Sequence, residues 1–385
     1  MNWMKHTKLI KGITLAIGCV LFAALLYYAN HDRPGYFTTV DSGVEYERAR
    51  VIEVVEDKTE VDDSTEGILR GSMKLKIELL SGRYKGDVLE VTNYLSYKYN
   101  VVVKKGDTIS VRIDTTGENE YAVTVYNYDR SKLLLGLILL FVIAVMAIGG
   151  IQGVKAVAAL AVTFVSIIFL LVPLVLKGFP SIPVTIVIIA ITTVISFLLI
   201  GGIQSKTVAA FLGSMVGVIL AAAIAMVAGK LCHVSGFQME DAENLYYIKF
   251  DTALKVRGLF ICGVLIASIG AVMDVAMSVS SAVNELHVVN PTLTVRELFR
   301  SGMTIGRDAM GTMANTLILA FAGTSLNMII LLYSYGVTFT QLMNTDYVAV
   351  EIIQSIAGSL GIVFTVPAAA IISAWLCVGK QKRQA

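Results

Sequence analysis

The sequence predicts an α-helical polytopic membrane protein of about eight transmembrane helices, carrying one small all-β domain outside the membrane. Three observations support this. Hydrophobic residues make up 56% of the 385 positions and charged residues only 16%, with a mean hydropathy of +0.72, whereas soluble domains carry roughly 25% charged residues. The charges crowd into residues 31–131, which hold 19 acidic and 14 basic side chains of the 60 in the chain. Elsewhere the apolar residues fall into runs of bilayer length. This composition excludes a disordered chain, a collagen and a disulfide scaffold, and it argues against an ordinary cytosolic enzyme. A net charge of +2, with no basic stripe interleaved with aromatics, gives no sign of a nucleic-acid partner.

A helix needs about 20 mostly apolar residues to cross ~30 Å of hydrocarbon. Eight stretches qualify: 9–29, 132–150, 154–176, 182–201, 207–228, 258–283, 309–333 and 348–378. The chain thus divides into an N-terminal helix (1–30), an external β domain (31–131), a seven-helix domain (132–378) and a short cytoplasmic tail (379–385). With both termini inside, eleven lysines and arginines lie in cytoplasmic pieces and five in short external loops, as the positive-inside rule asks. Four of the five contrary charges fall between Lys230 and Arg257. The first run also has the basic lead-in of a signal peptide, Lys5, Lys8 and Lys11, but it continues to Tyr28 and outlasts a typical h-region, which favours an anchor. Cys19, Cys232, Cys262 and Cys377 show no zinc-ligand spacing and read as buried thiols.

Residues 46–128 alternate in short β-type runs: Ala49–Val55, Met73–Leu80, Asp87–Thr92, Thr108–Ile113 and Tyr121–Tyr126. Turn residues such as Ser81-Gly82, Lys105-Gly106-Asp107 and Thr116-Gly117 separate them. Five or six strands over this length suit a small OB-like or SH3-like barrel. Its net charge of −5 argues against an anionic polymer as ligand. Tyr94, Tyr97 and Tyr99 form an exposed aromatic patch on one reading and serve as ordinary strand and loop tyrosines on the favoured one.

Gly149-Gly150-Ile151-Gln152 recurs as Gly201-Gly202-Ile203-Gln204, and Lys155 aligns with Lys206. Either residues 132–176 and 182–228 are a duplicated hairpin, or two tight turns have converged. Pro173 interrupts the third span, as a kink or a break.

Polar residues within the spans are the candidates for function. At 100° per residue Gly263, Ala267, Gly270, Asp274, Ser278, Ser281 and Glu285 share one narrow face. An acid at membrane depth costs ~3 kcal/mol on insertion scales, so it ordinarily meets a partner or water; a neutral, hydrogen-bonded structural Asp is the plainer alternative. Arg307 and Asp308 open the next apolar run, followed on one face by Gly311, Thr312 and Asn315. Asp308 also suits the positive N-terminus of a helix. The spacing permits Asp274, Arg307 and Asp308 to meet and exchange a proton or hold a cation, with Ser278, Ser281, Thr312 and Asn315 as neutral ligands. The last span repeats the style with Glu351, Ser355, Gly358, Thr365 and Ala369, Glu351 lying near its outer end. P-loop, dinucleotide and HExxH signals are absent, and His6, His31, His233 and His287 are scattered. No catalytic residue, metal site or cofactor is expected.

The run Gly270-Ala271-Val272-Met273-Asp274-Val275-Ala276-Met277-Ser278-Val279-Ser280-Ser281-Ala282 and the run Gly306-Arg307-Asp308-Ala309-Met310-Gly311-Thr312-Met313-Ala314-Asn315-Thr316-Leu317 resemble the two signatures of the YibE/F-like family of bacterial membrane proteins. Gly358-Ser359-Leu360-Gly361 with Val366-Pro367, and the stretch from Ser81-Gly82-Arg83 to Lys105-Gly106-Asp107, fit as well. The resemblance implies a multi-pass protein of the bacterial plasma membrane and, through the family's double name, pairing into a homo- or hetero-oligomer. It implies no substrate. The expected function is a secondary transporter or permease component, ion- or proton-coupled, moving a small solute or ion across the lipid bilayer. The alternative is a non-transporting scaffold or sensor whose β domain binds a cell-envelope component or partner protein.

Overall fold

The computed structural model describes residues 20, 22–31, 43–115, 121–239, 242–245 and 253–381. Most of the expected first span, Cys19, Lys5, Lys8, Lys11 and the Thr116-Gly117 turn lie outside the described residues. The chain divides into two units, Asp32–Ala144 and Val145–Ala385, the latter with the N-terminal stretch to His31.

In the first unit the alternating runs form five antiparallel strands: β1 (Val44–Asp62), β2 (Ile68–Leu79), β3 (Val88–Leu95), β4 (Thr108–Thr115) and β5 (Tyr121–Tyr128). They lie in the order β3-β2-β1-β4-β5. Strand β1 pairs with β4 through its first residues and with β2 through the rest, and irregularities at Val51/Glu53 and Val54/Glu56 bend it between the two partners. Alternate residues such as Val51, Leu75, Ile77, Ile109 and Ile113 point inward and are fully buried. The result is a curled half-barrel. The closed barrel expected from the strand count is not completed by a ladder, because β3 and β5 remain the sheet's edges. Side chains bridge that seam instead. Tyr84 stacks on Tyr121 with ring centroids 4.0 Å apart, and the Tyr121 hydroxyl donates to Asp87. The Tyr128 hydroxyl donates to the Val102 carbonyl at 2.9 Å, and the Asn93 amide to Val101 at 2.7 Å. Residues Val101 and Val103, a strand-like run in sequence, are thereby held as a buried loop plug.

The second unit contains the helices, apart from residues 131–144, which begin the first of them within the first unit. The run α1 (Ser131–Ser166) continues through a π-turn (Ile167–Leu171) to Leu176, 46 residues in all. It is not one rod: Gly150 has φ 53° and ψ −134°, and a Cβ on Gly153 would collide with the Val145 carbonyl oxygen. In a straight helix those residues would stand ~12 Å apart, so the chain breaks sharply there, between the third and second expected spans. Gly202, the second glycine of the repeated Gly-Gly-Ile-Gln, also has positive φ, 67°. The repeated sequence therefore makes a repeated local turn. Pro173 has no N–H for the carbonyl of Phe169, and the π-turn lies just before it. The Asn30 amide donates to that carbonyl at 2.7 Å, docking segment 22–30 beside the turn.

The remaining helices are α2 (Ser181–Gly201), α3 (Ser205–Leu231), α4 (Leu259–Val289), α5 (Val295–Thr324), α6 (Leu326–Ser334), the short α7 (Phe339–Met343) and α8 (Asp346–Gln381). Among the described residues, five helices are long and apolar enough to cross a membrane, and six if α5 and α6, bent by 60°, count as one broken span. The expected eight are thus not all recovered as separate helices. α8 packs against α3, α4 and α5 through small residues. A Cβ on Gly213 would lie 2.8 Å from Ala369, one on Gly217 2.7 Å from the Gly361 carbonyl, and one on Gly361 2.8 Å from Ala221. Such contacts bring backbones together where lipid supplies no hydrophobic drive between helices. The contact pairs also give direction: α2, α4 and α8 run parallel to one another and antiparallel to α3 and α5. Cys262 and Cys377 are buried, whereas Cys232 is exposed, contrary to expectation, because it caps α3 beyond the packed face.

Two outcomes test this architecture. Gly217→Leu should lower stability by about 1–3 kcal/mol, since its side chain has no space, whereas Gly136→Leu, with open space around it, should not; thermal unfolding of the detergent-purified protein separates them. In the β domain, Tyr121 is pushed up to about 12 from 10.0, first by its hydrogen bond to Asp87 and then by burial. The contact's contribution is complete below pH 10 and lost as pH rises through about 12. Ultraviolet titration should show a late-titrating component that Asp87→Asn moves back toward 10.

Candidate functional site

Asp274 lies midway along α4, and the helix turns it away from the bundle. The buried side of α4 is Val264, Ser268, Val272, Val275, Val279 and Val283, while Ala267, Gly270, Asp274, Ser278 and Glu285 are exposed and Ser281 is half-buried. The narrow polar face expected from helical spacing is therefore real, and it points outward.

On α5 the apolar run begins late but the helix does not. Thr294 and Glu297 form a capping box that starts α5 at Val295. Arg307 and Asp308 consequently sit in the helix interior, and the N-terminal role considered for Asp308 is overturned. Gly302 and Gly306 face the bundle, against Val283 and Ala370 and against Val279 and Val366. Arg307, Asp308, Gly311, Thr312 and Asn315 are exposed on the other side. The Thr312 hydroxyl donates to the Asp308 carbonyl at 3.2 Å, a bond within its own helix.

Depth along the bundle follows from the α4–α5 register. Since Val283 meets Gly302 and Val279 meets Gly306, the same antiparallel register puts Asp274 level with Gly311, one turn (~4.5 Å) from the level of Asp308. Ser278 is level with Arg307. Asp274, Arg307 and Asp308 thus share a layer, but no hydrogen bond or ion pair joins them. A single chain presents these groups without assembling them into a closed cluster.

A second polar location has no counterpart in the sequence reading of α5. At Ser325 the helix path bends by 60° between α5 and α6, and a cavity of about 280 Å³ opens beside the bend. Its surface is almost wholly apolar, with Phe321, Ile329 and Ile352 in the wall; Ser325, Tyr347 and Glu351 border it, but the Ser325 Oγ is buried. Glu351, expected near the outer surface, is half-buried. Ser355 also borders the cavity, its hydroxyl donating to the Glu351 carbonyl at 2.7 Å, whereas Gly358 packs on Leu317 and Ser268 and Thr365 is fully buried against Gly217. The signal for the bend was the small polar run Gly323-Thr324-Ser325 inside an apolar stretch. Among the described residues no group of three or more His, Cys, Asp or Glu side chains could hold a metal ion.

The β domain carries its own exposed feature. Tyr94, Tyr97 and Tyr99 are 75%, 68% and 60% exposed, Tyr94 on β3 and the other two in the loop after it.

Comparison with known proteins identifies two matching family models. One, described as YibE/F-like protein, matches residues 137–379, and another, the YibE/F family N-terminal domain, matches residues 44–128. No curated protein and no solved structure matches the chain. The first match alone spans more than half of the sequence and the second covers the half-barrel, so this chain belongs to the YibE/F-like family.

Proposed function

We propose that this protein is a secondary transporter or permease component of a bacterial plasma membrane, coupled to protons or another cation and performing no chemical conversion. One observation supports it most: Asp274 and Asp308 occupy nearly the same depth on adjacent helices, and both face away from the packed core. Hydrocarbon cannot solvate a carboxylate, at ~3 kcal/mol on insertion scales, so these faces need a water-filled path or a second membrane chain to cover them. In this reading Asp274 is the coupling carboxylate, Asp308 its partner and Arg307 the charge that tunes them. Ser278, Ser281, Thr312 and Asn315 supply neutral oxygen or amide ligands. Oligomerisation with another copy or a related membrane protein would close the pathway. The parallel run of α2, α4 and α8 against α3 and α5 is the alternation that successive crossings require; the N-in, C-in orientation with residues 31–131 outside rests on the excess of lysine and arginine in the connections assigned to the cytoplasm.

Proteoliposomes on a solid-supported membrane test the coupling. A pH or sodium gradient should drive a current that Asp274→Asn lowers at least about tenfold, the scale of one lost charge-assisted interaction, and that Asp274→Glu partly restores. An unchanged current in Asp274→Asn would falsify the assigned role.

The exposed tyrosines favour one second reading, a scaffold or sensor whose half-barrel grips a cell-envelope component. Replacing Tyr94, Tyr97 and Tyr99 with alanine in the full chain should then abolish co-sedimentation with purified cell-wall sacculi, while Asp274→Asn combined with Asp308→Asn leaves every measured phenotype intact. Loss of function in the double aspartate variant rejects the scaffold reading.

A further inference from the structure

We propose that a second copy of this chain covers the outer face of α5, the two copies meeting about a two-fold axis along the membrane normal with Arg307 of each on Asp308 of the other. The inference deepens the transport reading by naming the chain that covers the polar faces, and it rests on that reading for its purpose, though not for its detection.

Helical spacing defines the face. Thr304, Asp308, Gly311, Asn315, Ile318 and Ala322 follow one another at alternating intervals of four and three residues, the spacing of a seam between two helices, and all are exposed. They lie opposite the buried side of α5, where Gly302, Gly306 and Leu317 meet α4 and α8. Those contacts account for Gly302 and Gly306. They do not account for Gly311, where a Cβ would meet nothing within 4 Å, although glycine inside a helix costs about 1 kcal/mol against alanine. A helix from another chain, pressed against the seam, gives that glycine a use. Asn315, one turn on, is the kind of polar seam residue that fixes register and strand number by meeting its own symmetry mate.

The charges select the occupant. By helical geometry Arg307 stands about 60° to one side of the seam's centre and Asp308 about 40° to the other. Copies inserted the same way run parallel, so equal residue numbers lie at equal depth, and each flank of one helix faces the opposite flank of its partner. Arg307 of either copy therefore reaches Asp308 of the other, and the contact occurs twice. Among the described residues no ion pair involves Arg307 or Asp308 within the chain. The chain's other apolar segments offer no substitute. Residues 133–154 contain no ionisable side chain, and Phe22, Leu26 and Ala29 are already packed with Leu170, Val175 and Ile188, a cluster that includes no residue of α5. An unpaired charge at membrane depth costs ~3 kcal/mol on insertion scales, so a contact that neutralises both groups on both copies is favoured there.

The pairing also completes the Asp274 layer. Ala314 and Ile318 flank Arg307 in angle and face α8, since the Ser359 hydroxyl donates to the Ala314 carbonyl at 3.5 Å and Ile318 shares a cavity wall with Ile352 and Ile356. Asp308 is thus on the α4 side of the seam, and the arginine that arrives beside it, near Asp274, comes from the second copy.

Full-length chains labelled with donor or acceptor fluorophores and reconstituted together in liposomes test this by energy transfer. Wild-type copies should associate, and Arg307→Asp alone or Asp308→Arg alone should weaken self-association at least about tenfold, the scale of a lost charge-assisted contact. Mixing one copy carrying Arg307→Asp with another carrying Asp308→Arg should restore wild-type transfer, because two acids on one copy then face two arginines on the other. In a chain whose cysteines are replaced by alanine, oxidation should cross-link Asn315→Cys to a second copy and leave Thr316→Cys, about 120° from the seam's centre, unlinked. Wild-type chains that stay monomeric, charge variants of wild-type Tm that self-associate normally or fail to recover on mixing, or cross-linking from Thr316→Cys in place of Asn315→Cys would each overturn the assignment. Where a charge variant loses the wild-type Tm, the cross-link decides alone, since it leaves both charges in place. Association needs no gradient, so energy transfer without a gradient-driven current would sink the transport reading alone, whereas a current from monomeric chains would sink this one alone.

Discussion

The bundle depends on backbones approaching more closely than ordinary side chains allow. Gly213, Gly217 and Ala221 on α3 meet Gly361, Thr365 and Ala369 on α8, and Gly302 and Gly306 let α5 settle onto α4 and α8. In water such contacts would be minor beside hydrophobic burial. In a bilayer the lipid tails are as apolar as leucine, so dense packing of small residues carries much of the association. Thr365 shows how economically the contact is made: its hydroxyl bonds back to Gly361 at 2.8 Å, so a polar side chain fills the seam without an unmet donor.

That packing explains where the charges go. Val272, Val275 and Val279 of α4 and Gly302 and Gly306 of α5 face the core, which leaves Asp274 and Ser278 on one helix and Arg307, Asp308 and Asn315 on the other turned outward. An inward position for Asp274 would place a carboxylate among Val272, Val275 and Val279 with no partner, a heavier penalty than an outward one that water or another chain can meet. Function then belongs to what covers these faces as much as to the single chain. The bend falls at Ser325, which ends α5 and begins α6, and the change of direction leaves a cavity that α8 borders.

The β domain solves a different problem. Its sheet has two free edges, which in water invite unwanted pairing. Tyr84, Tyr121 and Tyr128 span the gap between them, and the plug formed by Val101 and Val103 fills the curl. Asp129 ends the domain by accepting from the Ser131 hydroxyl and N–H and pairing with Arg48 at 2.7 Å. The Ser131 hydroxyl bond, its N–H and Arg48 hold Asp129 below the usual carboxylate range against opposition from burial.

The sequence by itself determined the classes of segment. Five strands followed from period-two alternation, and the apolar helices from run length, because burial on one face or passage through a bilayer imposes a local period on neighbouring residues. It also determined which residues share a face: Gly270, Asp274 and Ser278 do lie on one side of α4. The tertiary structure alone decided which way that side points, since orientation depends on which opposite positions find small-residue partners on other helices. It decided that Arg307 and Asp308 stand within a helix, because the hydropathy run starting near Asp308 marks where apolar residues begin and not where Thr294 and Glu297 nucleate the turn. The turn at Gly149-Gly150, by contrast, was already legible between residues 132–150 and 154–176, and Gly150 leaves helical dihedrals there. The cavity at Ser325 was decided by the tertiary structure: Phe321, Tyr347 and Glu351 come together only through a bend and a neighbouring helix, and no period within one segment encodes a contact between two.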